Sequence, residues 1–276
     1  MPELPEVETV RRTLLEGGLA GLSIRAARVR HADAVHWPDP ERFARELAGR
    51  RISALLRRGK FLLLDLEGRT LVCHLRMTGR LWLSEPAEDE PSHTHVVLEL
   101  SDGRELRFRD VRRFGGFTLL EPDGAMAPAL LARLGPEPED LTQDALAEAC
   151  RRRPRSPVKS LLLDQSFVAG IGNIYADEAL HRGGVHPRRT CGSLSKQEQK
   201  AVRLALRSVL RDALRHRGTT FLDFRDGAGE PGAFQAFLRV YGREGLPCRR
   251  CGTPVDKTRV GGRGTHFCPR CQPEGE

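Results

Sequence analysis

The sequence predicts an α+β protein: a β-rich N-terminal half, a helical second half and a small cysteine-bearing module at the end. Three observations carry this expectation. Short apolar or alternating segments crowd the stretch before residue 121, separated by turn dipeptides such as Glu67-Gly68 and Asp102-Gly103. After Pro122 the apolar residues recur with a period near 3.6 instead. Four of the seven cysteines lie from residue 248 onward.

Taken in order, residues 5–16 place Val7, Val10, Leu14 and Leu15 near one helical face, and Gly17-Gly18 ends that helix. Strands are expected at Ile52–Leu56, Phe61–Leu66, Leu71–Leu75, Val96–Leu100, Leu106–Phe108 and Phe117–Leu120. So many short strands in one block suggest a β-sandwich or barrel. Helices are expected at Ala129–Leu134, Leu141–Cys150, Val158–Leu163, Ala176–His181 and Lys196–His216, the last strongly amphipathic. The proline-bearing Gly135–Pro138 reads as the hinge between the halves and Asp226–Gly232 as a mobile loop.

Composition narrows the function. The 276 residues are 39% hydrophobic and 30% charged, and the longest apolar runs fall far short of a membrane span. Lys plus Arg is 45 against 37 for Asp plus Glu, a net +8. That excess favours a polyanionic partner, nucleic acid before a membrane surface; evenly scattered charge is the other reading. Only Lys60, Lys159, Lys196, Lys200 and Lys257 are lysines, so arginine serves the generic cationic needs. Glu3, Glu6 and Glu8 interrupt any secretory leader, so the expected compartment is the cytoplasm, where structural disulfides are rare.

The spacing Cys248-x2-Cys251-x16-Cys268-x2-Cys271 is that of a four-cysteine zinc site. Four thiolates complete a tetrahedral shell and leave no open position for water, so the one Zn2+ ion is structural. Arg243, Arg249, Arg250, Lys257, Arg259, Arg263 and Arg270 outnumber Glu244 and Asp256 in this module, which suits a phosphate backbone. Arg263 stands among glycines at the expected hairpin tip.

The start Met1-Pro-Glu-Leu-Pro-Glu6 offers a second chemistry. Removal of Met1 would expose the secondary amine of Pro2, and an α-amino group titrates near 8. In its neutral form such an amine attacks an aldehydic sugar carbon and gives an iminium directly. Glu3 and Glu6 stand beside it as a proton donor and a charge stabiliser. On spacing alone the same residues also read as the first turn of any helix. Gly170-Ile-Gly-Asn-Ile-Tyr175 has the form of a capped helix start able to hold a phosphate. His74-Leu-Arg-Met77 and Asp110-Val-Arg-Arg-Phe-Gly115 supply an Arg, a Phe and a Met suited to wedging into a base stack.

Together the segments MPELPEVETVRR, RRGKFLLL, HLRMTG, DVRRFGG, LGPEP, LLLDQSFVAGIGNIYADEAL, VYGREGLPC and THFCPRC closely resemble the formamidopyrimidine-DNA glycosylase family, in the family's order over essentially the whole chain. The resemblance implies a β-sandwich domain over 1–135, a helix-two-turn-helix domain over 136–232 and a zinc β-hairpin over 233–276, with DNA held in the cleft. It implies excision of oxidised purines, 8-oxoguanine and formamidopyrimidines, from double-stranded DNA, followed by β- and δ-elimination at the abasic site. A monomer is expected. An enzyme that attacks a stacked base must flip it out.

By the same resemblance Pro2 is the nucleophile, Glu3 the proton donor and Glu6 the acid supporting the sugar. Lys60 is assigned to β-elimination, and Arg263 to δ-elimination and phosphate binding. Met77, Arg112 and Phe114 fill the hole left by the flipped base, and His74, His93, Arg155, Lys159 and Asn173 contact DNA. One departure stands out: where some relatives carry a lysine or another polar residue in the loop that grips the lesion, Arg217–Phe224 carries Leu222. Leu4 and the Arg112-Arg-Phe114 run argue against the sister family acting on oxidised pyrimidines. A non-catalytic zinc-finger DNA-binding protein would have lost Pro2, Glu3 or Lys60, and all three are present. An RNA-binding zinc ribbon would leave the N-terminal motif idle.

Overall fold

The computed structural model describes residues 2–121 and 131–274. It is a mixed α+β chain that divides into two compact units, 1–132 with 216–235 and 133–215 with 236–276.

The first unit opens with helix α1 (Leu4–Glu16), whose Val7, Val10 and Leu14 are fully buried. Next come β1 (Ile24–Val29), β2 (Val35–Trp37), α2 (Pro40–Leu47), β3 (Ala54–Arg58), β4 (Phe61–Asp65), β5 (Thr70–His74), β6 (Gly79–Ser84), β7 (Thr94–Leu100), β8 (Glu105–Asp110) and β9 (Gly116–Leu119). These strands form two sheets, β1-β7-β8-β6 and β2-β9-β5-β4-β3. Between them runs one core built from alternate residues such as Leu62, Leu64, Leu81, Val96, Leu98 and Phe108. The expected strands therefore exist, each within two residues of its expected start.

Four elements escaped the sequence reading. In β1 a register shift between Ile24 and Ala26 breaks the alternation, and in β6 Trp82 stands between Leu81 and Leu83 and blurs it. Strand β2, paired with β9 across a register shift, is too short to show a period. Helix α2 did carry a signal, since the Asp39 carboxylate caps Arg42 N–H at 2.8 Å and Pro40 follows it.

The second unit holds α3 (Gln143–Arg152), α4 (Val158–Leu163), α5 (Asn173–Gly183) and α6 (Lys196–Arg215), then the hairpin β10 (Asp256–Val260) and β11 (Arg263–Phe267). Thr142 caps α3 through its hydroxyl at 3.1 Å. Helix α5 lies along α6 so closely that a Cβ at Gly183 would sit 3.3 Å from the Val202 backbone. The expected helix over Ala129–Leu134 falls partly outside the described residues. Among the described residues no helix is long and apolar enough to cross a membrane.

Residues 216–235 belong with the sandwich because α1 binds them: Thr219 N–H donates to Glu6 and Gly227 N–H to Thr13. The loop expected to be mobile is thereby pinned. Leu83 N–H also reaches Gly227 O, and the buried Asp226 carboxylate accepts from Ala228 and Glu230 N–H.

Candidate DNA-lesion site

In the first unit the functional residues begin at the chain start. Pro2 is buried, and Glu3, 1% exposed, is the N-cap of α1. Glu3 N–H donates to Glu6 Oε2 at 2.8 Å as part of a reciprocal capping box. The other oxygen, Glu6 Oε1, accepts Thr219 N–H at 2.7 Å. Gly218, at φ +78, must be a glycine, since a Cβ there would meet Glu6 Oε1 at 2.7 Å. The reading of these residues as an ordinary first helical turn is thus correct as far as it goes. The same turn also brings two buried carboxylates together directly after Pro2 in the chain.

Lys60 follows Gly59 (φ 54) in the β3–β4 turn and is buried at 9% exposure. Its hairpin is fixed to α1 by Arg57 Nε–Glu8 Oε2 at 3.1 Å. His74 stands across the β4–β5 ladder, paired with Phe61 and in edge contact with its ring. Burial, reinforced by the charges of Arg76 and Lys60, pushes the His74 pKa down to about 3, so its ring is neutral. Its Nδ1 accepts Arg76 N–H at 2.9 Å, which leaves the proton on Nε2.

Met77, Arg112 and Phe114 come together although two of them sit on a different loop from the third. The Arg112 guanidinium lies 4.8 Å over the Phe114 ring and 3.1 Å from Met77 Sδ. Phe114 is 51% and Met77 40% exposed, a projecting apolar cluster. His93 is exposed in the left-handed region (φ 68). Leu222 is 84% exposed beside Phe221, so the departure noted in that loop presents bare apolar surface.

In the second unit the Sγ atoms of Cys248, Cys251, Cys268 and Cys271 all lie within 4.8 Å of one another, as one tetrahedral metal ion requires. His181 Nε2 is 3.4 Å from Cys248 Sγ, an outer partner of the kind that orients a thiolate ligand. The four cysteines are therefore arranged to hold one structural zinc. Arg263 starts β11 after the Gly261-Gly262 turn and is exposed.

Lys159 departs from the expected surface contact. Its side chain is fully buried, paired with the equally buried Asp177 at 2.7 Å, and it donates to Thr265 Oγ1 at 2.7 Å and Gly264 O at 3.3 Å. A buried ammonium must be paired, and Asp177 on α5 is the partner. Asn173 Nδ2 donates to the same Gly264 O at 2.9 Å, and Asp177 Oδ2 accepts His266 N–H at 2.9 Å. Lys159 and Asn173 thus grip Gly264, the residue next to Arg263, and Asp177 holds His266 two residues further along. Arg155 is exposed in the turn before α4.

Family models match the formamidopyrimidine-DNA glycosylase N-terminal domain over residues 1–117, its H2TH domain over 134–224 and a zinc finger found in FPG and IleRS over 245–273. The formamidopyrimidine-DNA glycosylase of Symbiobacterium thermophilum is 49% identical over 278 aligned residues, covering 100% of this chain and 90% of that one. The chain belongs to the formamidopyrimidine-DNA glycosylase family. Among solved structures, the MutM (Fpg) protein of Thermus thermophilus superposes with TM-score 0.88 at 44% identity, covering 100% of both chains. Lactococcus lactis Fpg in complex with DNA containing an abasic site superposes with TM-score 0.89 at 35% identity, over 98% of this chain and 99% of that one.

Within this family frame, sequence reasoning overlooked three groups. Asp177 and Glu178 lie buried within the GNIYADEAL segment. Glu178, 2% exposed, accepts backbone N–H groups of Arg239, Val240 and Tyr241 at 2.9–3.0 Å, fixing the chain at the entry to the finger. Two adjacent acids inside a helix with an apolar face were the available signal. The third group is Asp110, whose burial no local pattern announces.

Proposed function

We propose that the chain is a bifunctional DNA glycosylase and abasic-site lyase that removes oxidised purines, 8-oxoguanine and formamidopyrimidines, from double-stranded DNA. The observation that supports this reading is the pairing of the buried Glu3 and Glu6 in the helical turn that directly follows Pro2. An α-amine with two buried carboxylates in the turn beside it in sequence would have both the nucleophile and the proton source that glycosidic cleavage needs.

With Met1 removed, the Pro2 nitrogen attacks C1′ of the flipped nucleotide, and Glu3 donates the proton with which the base leaves. The bond from C1′ to the base breaks as a C1′–N bond forms; the C1′–O4′ bond then opens, O4′ taking up the proton that the Pro2 nitrogen sheds, and leaves an iminium whose positive charge Glu6 stabilises. Lys60 takes the C2′ proton, and the electron pair expels the 3′ phosphate. Arg263 binds phosphate and assists loss of the 5′ phosphate, so the strand is left with phosphates on both sides of a one-nucleotide gap. Met77, Arg112 and Phe114 occupy the space vacated by the flipped base. His74, His93, Arg155 and Asn173 hold the strands, Lys159 acting through the hairpin that it grips. Zinc on the four cysteines supplies folding energy to the finger.

The work divides into a catalytic domain over 1–135, a DNA-binding helical domain over 136–232, whose closing residues from 216 fold with the sandwich, and the finger over 233–276. The enzyme acts as a monomer on chromosomal DNA in the bacterial cytoplasm. Incubating the protein with a duplex carrying one 8-oxoguanine opposite cytosine tests the reading. A cut strand bearing phosphates at both new ends supports it, and an intact strand in a protein–DNA complex overturns it.

A further inference from the structure

The three projecting residues of the sandwich unit share one buried anchor. Asp110, at the end of β8, is 0% exposed. A buried carboxylate is an acceptor-only group with about four lone-pair sites, and it is costly unless they are filled. Here four donors fill them. Oδ1 accepts the Thr78 hydroxyl and Arg112 N–H at 3.2 Å; Oδ2 accepts Phe114 N–H at 2.8 Å and Gly115 N–H at 2.7 Å. The Asp110 carbonyl in turn accepts His95 Nε2–H at 2.8 Å.

This arrangement joins two loops. Thr78 follows Met77, and its hydroxyl also accepts Arg112 N–H at 3.1 Å. The loops touch so closely that a Cβ at Gly115 would lie 2.6 Å from His74 O. Arg113 is held in the left-handed region at φ 58, a strain that the surrounding hydrogen bonds must offset. Phe114 and Met77 are themselves about half exposed, so their common direction comes from the backbone that Asp110 folds.

We propose that Asp110 is the positioning residue that assembles Met77, Arg112 and Phe114 into one rigid wedge. The proposal rests on the reading above that these three side chains enter the duplex. A wedge ordered before it meets DNA loses less conformational entropy on insertion than three independent side chains. Asparagine cannot substitute, because its amide offers one accepting oxygen and turns an N–H2 toward the donors on the other side.

The test compares wild type, D110N, T78V, F114A and the double variant D110N/F114A, all as full chains. The readout is the ratio of borohydride-trapped adduct on an abasic duplex to that on a single-stranded abasic oligonucleotide, which needs no wedge. Fluorescence of 2-aminopurine placed opposite the abasic site gives a second readout. D110N is expected to lower the ratio roughly tenfold, and T78V by about threefold, as buried hydrogen bonds are lost. In the F114A background D110N should add nothing further. A wild-type ratio for D110N, or an effect that multiplies with F114A, overturns the proposal. Should D110N melt before assay, T78V is judged by the same two criteria. Absence of any adduct with wild type refutes the catalytic reading instead, and the 2-aminopurine response on binding then decides the role of Asp110.

Discussion

One carboxylate, that of Glu6, bridges Glu3 and Thr219: it accepts Glu3 N–H at 2.8 Å through one oxygen and Thr219 N–H at 2.7 Å through the other. The first turn of α1 and the loop at 217–224 are thereby fixed to a single side chain, buried at 1% exposure. Glu6→Gln keeps only one accepting oxygen, so one buried N–H loses its partner, at a cost of about 1–3 kcal/mol. We expect a lower melting temperature and slower single-turnover excision of 8-oxoguanine. Cleavage of a preformed abasic site should suffer less, since it requires no grip on a base. Equal losses on both substrates would detach the Thr219 loop from base recognition.

Glu8 ties the same helix to the Lys60 hairpin. Burial pushes its pKa up, but hydrogen bonds from Arg11 and Arg12 and the charges of Arg11 and Arg57 outweigh burial and bring it from 4.5 to about 2. The folded chain therefore takes up this proton less readily than the unfolded chain. The stabilisation is complete above pH 4.5 and is lost as pH falls toward 2. Its size is at most about 3 kcal/mol, less in salt because Arg12 is half exposed. In Glu8→Gln the slope of unfolding free energy against pH between 4.5 and 2 should flatten, measured by urea titration in that window.

Much of this was legible in the sequence, and what was not has a common cause. The cysteine spacing, the N-terminal run and most strands are local patterns. The partner of Glu6 is 213 residues away, and that of Asp110, Thr78, is 32 away. No periodicity encodes such pairings; only the folded backbone creates them. Lys159 illustrates the limit from the other side. The family resemblance implied a DNA contact there, whereas its position on the inner face of α4 buries its side chain against Asp177.

Removing one member of that buried pair should be costly. Lys159→Met leaves Asp177 uncompensated and should destabilise the second unit by about 3–5 kcal/mol. Asp177→Asn is milder in shape but frees the Arg263 hairpin, so products should shift from β,δ-elimination toward β-elimination alone. Gel separation of the two 3′ ends reads the shift. An unchanged product ratio in a folded Asp177→Asn protein would exclude control of Arg263 by this pair.

His74 and Arg155 should weaken DNA binding in distinguishable ways. His74 is neutral, with its pKa near 3, so His74→Ala removes a contact without removing a charge. Arg155→Ala removes an exposed cation. The slope of log affinity against log salt should fall by about 1 for Arg155→Ala and stay constant for His74→Ala. Fluorescence anisotropy across a salt series resolves this.

Zinc removal should unfold the finger selectively. Its own core consists of Val240, Cys248, Val255 and Cys268, too small to fold without a metal. Chelation is expected to abolish duplex binding while the sandwich retains its near-ultraviolet dichroism. Unaltered affinity in zinc-free protein would remove the finger from DNA binding.

The most direct measurement on the central claim is borohydride trapping with the chain terminus free and blocked. Protein with Pro2 exposed, incubated with an abasic duplex and reduced, should yield a covalent adduct that peptide mapping places on Pro2. Protein retaining Met1 should yield none while still binding the duplex. An adduct that survives the block, or maps to Lys60, would contradict the assignment of the Pro2 amine as nucleophile.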